Sequence, residues 1–122
     1  ITKDKAIKVF NNGDLSRDFT HVDDIVIGVK SALLSDSSIK KLYELYNIGN
    51  NKPVLLTKFI ETIEKYLGKK GIKKMLPMQD GDVKKTWASI SKLTKDYNFQ
   101  NKVSLDKGIE EFINWFKAYH KV

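Results

Sequence analysis

The stretch Ile7-Lys8-Val9-Phe10-Asn11-Asn12-Gly13, followed by Arg17-Asp18-Phe19-Thr20-His21-Val22-Asp23-Asp24-Ile25-Val26, decides how this 122-residue chain is read. Residues 7–10 alternate and are rich in β-branched side chains, which predicts a short strand. Asn11-Asn12-Gly13-Asp14 is a turn in which Gly13 is free to take a positive φ. Residues 17–22 alternate again and read as a second short extended stretch. Asp23 or Asp24 then caps a helix running to about Leu34, with Ile25, Val26, Val29 and Leu33 on one apolar face.

Outward from this unit the chain stays mixed. Residues 35–38 form a polar loop. Residues 42–48, Leu-Tyr-Glu-Leu-Tyr-Asn-Ile, read as a strand that becomes apolar on both faces, the pattern of a parallel sheet covered by helices. After a loop at 49–53, residues 54–56 are a very short strand. Thr57 caps an amphipathic helix with Phe59, Ile60, Ile63, Tyr66 and Leu67 on one face, and Gly68 ends it. Residues 72–76 predict another strand, residues 77–85 a loop, and Ser89 or Ser91 the start of a short helix to about Tyr97. Ser104 caps the longest helix, one face of which carries Leu105, Ile109, Phe112, Ile113, Phe116 and Tyr119. Its acids come early and its bases late, as the helix dipole favours.

The expected fold is α/β, with short strands and about four helices. Two features suggest a fragment. The strand at 42–48 wants parallel neighbours that this chain scarcely supplies, and Ile1-Thr2-Lys3-Asp4-Lys5-Ala6 reads like the tail of an earlier helix.

Composition narrows the function class. No apolar run reaches the ~20 residues of a membrane span, no signal peptide is recognisable, and there is no cysteine for disulfides or thiolate metal sites. The expectation is a soluble cytoplasmic protein with no membrane partner. The net charge of +7 raises nucleic acid as a partner. Against it, the basic residues are almost all lysines, scattered with no block longer than two, and Arg17 is the only arginine. Nucleic-acid binders use arginine heavily because its planar fork grips phosphates and base edges. The expectation is no nucleic acid. A free-standing basic binding module remains the reading from another class. In a lysine-biased chain, the one position that keeps arginine points to a need for a planar guanidinium.

The strand, glycine turn and Arg17-Asp18-Phe19-x-x-Val22-x-Asp24 run leading into a helix resemble the extended short-chain dehydrogenase/reductase family. Tyr46-Asn47-Ile48-Gly49 is similar to that family's last cofactor-sheet strand. Met75-Leu76-Pro77-Met78-Gln79-x-Gly81-Asp82-Val83 resembles its UDP-glucuronate 4-epimerase branch, and the 108–116 helix also fits. The resemblance runs from about Ala6 to Tyr119. It implies the carboxyl-terminal, nucleotide-sugar-binding portion of such an enzyme, including the last elements of its Rossmann-like sheet. Residues 1–122 would be mainly the substrate domain, with about 23–49 packing on a cofactor domain upstream. NAD would be bound by that missing domain, and the catalytic tyrosine and lysine would lie there too. The implied reaction is transient oxidation at sugar C4, rotation of the 4-keto sugar and return of hydride to the other face, in a homodimer of the full-length enzyme. UDP-glucuronate decarboxylases and dTDP-sugar 4,6-dehydratases share most of these motifs and are the close alternatives.

For site residues the resemblance implies that Arg17 binds the UDP diphosphate and that Asp82 accepts from the ribose hydroxyls. Phe10, with Lys8 on the same strand face, would line the uracil pocket. Gln79 stands where UDP-galactose epimerases often place a second arginine. Each role has a structural competitor: a structural salt bridge for Arg17, for example to Asp18, a turn or cap for Asp82, plain core for Phe10. Tyr66-x-x-x-Lys70 matches the family's catalytic spacing, but Gly68 ends the helix before Lys70 can sit one turn from Tyr66. No catalytic residue is expected in this chain. His21 with Asp23 and Asp24 is poor metal-ligand geometry and reads as structural, so no metal is expected either. His120 answers the helix dipole.

Overall fold

A computed structural model describes residues 1–34 and 43–121. In chain order its elements are β1 (Ile7–Val9), a 3₁₀ turn (Phe10–Gly13), β2 (Ser16–Arg17), α1 (Val22–Leu34), β3 (Val54–Leu55), α2 (Leu56–Leu67), β4 (Lys73–Met75), α3 (Ser91–Tyr97) and α4 (Leu105–His120). The chain is thus mixed α/β with four helices and short strands. None of the described helices is long and apolar enough to cross a membrane.

Two small sheets organise the strands. β1 runs parallel to β4, with Val9 opposite Met75. β2 runs antiparallel to β3, with Arg17 opposite Val54, and an isolated parallel bridge joins Ser16 to Lys85 on its other side. Bonds from Ser16 N–H to the Lys84 carbonyl (2.9 Å) and from Thr86 N–H to the Ser16 carbonyl (3.2 Å) lay residues 84–86 along β2. The core gathers where α2 packs on α4. Ile60, Ile109 and Ile113 are buried, as are Val9, Leu15, Leu93 and Phe99. Phe19 stacks on Phe59 with ring centroids 4.0 Å apart.

Helix termini follow local chemistry. The hydroxyl of Ser104 accepts from Lys107 N–H at 3.2 Å, so the expected cap of α4 is present. Gly68 ends α2 at φ 72, where a side chain would be strained. Other expectations are corrected. The α2 helix starts at Leu56 with Leu55 as N-cap, so Thr57 lies inside the first turn. Asp23 and Asp24 do not cap α1 either. The His21 carbonyl accepts from Asp24 and Ile25 N–H, and His21 Nδ1 accepts from Asp23 N–H at 3.3 Å. Asp24 instead turns inward, fully buried, and its carboxylate accepts from Lys102 N–H (2.8 Å) and Val103 N–H (3.2 Å). That carboxylate ties α1 to the segment before α4.

Residues 43–48 form no strand ladder among the described residues, and Leu42 and the loop expected at 35–38 lie outside them. Fully covered parallel strands need in-register neighbours, and β1 and β4 already pair with each other. The segment is held by side chains instead: Tyr46 donates to Asp96 at 2.8 Å, and the Lys92 ammonium lies 3.5 Å from the Tyr46 ring centroid. Nor do residues 1–6 continue a helix. Asp4 takes φ 55 in a turn closed by its N–H on the Ile1 carbonyl. The second extended stretch is shorter than expected, ending as a strand at Arg17.

Candidate functional site

Arg17 and Asp82 stand 65 residues apart in sequence, yet one guanidinium nitrogen of Arg17 donates to Asp82 Oδ1 at 2.6 Å. The register explains the meeting. β2 holds Arg17 beside residues 84–86, so the turn just before them is carried to its side chain. Gly81, at φ 78, lets that turn close with Asp82 N–H on the Gln79 carbonyl. The other terminal nitrogen of Arg17 donates to the Ser16 carbonyl at 2.9 Å, and Asp82 Oδ1 also accepts from Val83 N–H at 2.8 Å. Both side chains remain about 30% exposed, so the pair is oriented by the fold and open to solvent. Of the five N–H donors on an arginine fork, two are engaged among the described residues.

The expected competitor for Arg17, a structural salt bridge, is formed, but with Asp82 in place of Asp18. The Asp18 carboxylate accepts from the backbone N–H groups of Asn51 (3.0 Å), Lys52 (3.3 Å) and Ala88 (3.1 Å). It therefore clasps the 49–52 loop and residue 88 around β2. Gly49 lies against it: a Cβ there would come within 2.8 Å of the Asp18 carboxylate and 2.7 Å of Ala88 Cβ. The space this leaves is a cleft of about 380 Å³, within the range of ligand pockets. Its lining includes Arg17, Thr20, Asn47, Thr86 and Trp87. Nothing in the one-dimensional pattern marked Asp18 as the clasp, because its partners are backbone amides from two distant loops.

Phe10 leaves the strand after Val9 and opens the 3₁₀ turn, half-buried, so it does not share a strand face with Lys8. Lys8 is exposed on β1 opposite Lys74, and Gln79 is exposed beside the Asp82 turn. No hydrogen bond or ion pair among the described residues links Lys8, Phe10 or the Gln79 side chain to the Arg17–Asp82 pair. Tyr66 and Lys70 go separate ways: the tyrosine hydroxyl donates to Asp106, and the lysine ammonium meets Glu64 at 3.1 Å. Interaction with Asp106 also raises the Tyr66 pKa above its ordinary value.

Sequence reasoning missed Glu64, which is buried at the end of α2. Its carboxylate accepts from Lys73 (2.5 Å), Lys70 (3.1 Å) and Gly71 N–H (2.9 Å). The Lys73 bond chiefly, with the Gly71 amide, holds its pKa down at about 2 despite burial. It fastens the loop that starts β4 and so supports the segment leading to Asp82. His21 is not grouped with Asp24, which faces inward. It lies 3.6 Å from Asp23 and 3.8 Å from Glu111, and Glu111 in turn meets Lys107 at 3.5 Å, a polar cluster at the junction of α1 and α4.

Comparison with protein-family models finds no match. The chain is 49% identical over 112 residues to an uncharacterised protein of Methanocaldococcus jannaschii, covering 92% of this chain and 33% of that one. It is 37% identical to protein CapI of Staphylococcus aureus (99% and 40% covered) and 39% identical to a UDP-glucuronate 4-epimerase of Thermodesulfobacterium geofontis (96% and 35%). The crystal structure of UDP-glucuronic acid 4-epimerase from Bacillus cereus, in complex with UDP-glucuronic acid and NAD, superposes with a TM-score of 0.85 at 33% identity, covering 97% of this chain and 37% of that one. The chain thus spans between 33% and 40% of the length of these curated relatives.

Proposed function

We propose that this chain, homologous to part of the NAD-dependent UDP-glucuronate 4-epimerases of the extended short-chain dehydrogenase/reductase family, forms the carboxyl-terminal, UDP-sugar-binding portion of such an enzyme. The observation that carries the reading is the meeting of the lone Arg17 with Asp82 at 2.6 Å beside a polar cleft. A diphosphate needs a fork of N–H donors, and Arg17 keeps donors free of the described residues, already aimed by two hydrogen bonds. Asp82 would repel the phosphates and accept from hydroxyls, so its role is to hold the ribose next to them. Their mutual ion pair orients both groups and partly cancels the arginine charge, so recognition rests on geometry more than on net attraction.

The residues of this chain do not fit NAD. Gly68 and Gly71 are spaced as in a dinucleotide-binding glycine run, but position 74 is lysine. Gly68 also ends a helix, where the glycine run must open one. In this reading NAD and the catalytic tyrosine belong to the rest of a longer protein, and this chain orients the nucleotide-sugar without supplying the groups that move hydride or proton.

The test is equilibrium binding of UDP to the chain and to its Arg17→Lys variant. A point charge replaces a fork that can bind two oxygens at once, so the variant's affinity falls about tenfold. Equal binding by both proteins excludes Arg17 from the diphosphate site.

A further inference from the structure

Trp87 is one of two tryptophans in the chain, and it is 55% exposed. An indole left in water at the rim of a polar cleft is an unused apolar surface in a place built for a hydrophilic ligand. Its position is fixed from both sides. Thr86 N–H donates to the Ser16 carbonyl at 3.2 Å, and Ala88 N–H donates to the Asp18 carboxylate at 3.1 Å. Residue 87 is therefore held beside the Arg17–Asp18 stretch, and Arg17 and Trp87 both line the same cleft. The Lys85 ammonium, 5.0 Å from the ring centroid, steadies the indole through a cation–π contact.

Asp82 meets the Arg17 guanidinium but is not part of the cleft lining, whereas Trp87 is. A nucleoside diphosphate seated on Arg17, with its ribose on Asp82, would therefore direct its other substituent toward Trp87. We propose that Trp87 is a specificity-determining residue of this cleft, its indole face taking the apolar C–H face of the pyranose ring attached to the diphosphate. A pyranose carries hydroxyls around its edge and C–H groups on its faces. Stacking buries the C–H face while the edge stays free to bond, and the exposed amide of Asn47, in the same lining, is a ready partner. The inference rests on the UDP-site reading above and adds that this chain selects for a sugar as well as for a nucleotide.

The experiment uses the chain with Trp115→Phe, which leaves Trp87 as its only tryptophan. UDP-glucuronic acid and UDP are titrated, with emission and calorimetric heat followed in parallel. UDP-glucuronic acid is expected to change the emission saturably, and UDP to bind with much less change. Adding Trp87→Ala lowers affinity for UDP-glucuronic acid about threefold to tenfold and leaves UDP unaffected, while Trp87→Phe stays within about twofold of the parent. If both ligands bind and Trp87→Ala discriminates neither, the sugar platform is wrong and the UDP site stands. If neither ligand gives heat, the UDP-site reading fails and this inference falls with it.

Discussion

At the scale of single residues, buried carboxylates carry much of the architecture. Asp24 and Glu64 both satisfy backbone or lysine donors from inside the fold. Glu64 sits at about 2 when folded against a reference value of 4.5. Because its folded pKa is depressed, the stability it contributes is fully present above pH 4.5 and is lost as pH falls toward 2. Asp96 and Asp106, also lowered by hydrogen bonds to tyrosine, act in the same direction. Thermal midpoints measured from pH 6 to 2.5 should therefore fall, and Glu64→Gln should begin less stable and show a flatter slope. An unchanged slope would mean that Glu64 is not the linked group. Glu64 could not be read from the sequence, since one acid among apolar helical positions looks like a solvent-facing break. Arg17 could be, because a single arginine among lysines is conspicuous.

At the scale of elements, the parts built from local rules were legible and those built from distant partners were not. α4 follows its periodicity and its Ser104 cap, and α2 ends where Gly68 takes a left-handed conformation. Ser104→Ala should cost about 1 kcal/mol, read as a lower denaturation midpoint with unchanged m-value. The caps expected for α1 failed because His21 serves the helix end while Asp24 bonds amides 78 and 79 residues away. The strand expected at 42–48 is not formed over its described residues, 43–48, because alternation reports which faces are covered and not whether a pairing edge is at hand. The candidate site lies between these cases. Its residues were named by resemblance, but the 16–85 bridge that brings Asp82 to Arg17 left no local trace.

At the scale of the whole molecule, two helices keep large apolar side chains in water. On α1, Val22, Val26, Val29, Leu33 and Leu34 are exposed, and on α4 so are Phe112, Trp115 and Tyr119. The α1 face is the one that periodicity marked as apolar, and Val26, Val29 and Leu33 on it do not join the core of the described residues. In the proposed longer enzyme that face would pack on the cofactor domain, since a large contiguous apolar patch calls for a cover. On its own the chain should self-associate with rising concentration, and Val26→Lys with Leu33→Lys should shift sedimentation toward monomer. A monodisperse wild-type chain at high concentration would remove the reason for a covering domain. Arg17 is proposed to hold the UDP diphosphate, and its being the one arginine makes it easy to follow: one arginine gives one guanidinium Nε–H resonance. The most direct measurement follows that resonance in a nitrogen-15 labelled chain while UDP, and separately uridine, is added. A saturable shift is expected with UDP and almost none with uridine. An arginine signal that stays still while UDP saturates the protein, or a chain that UDP leaves unchanged, would contradict it.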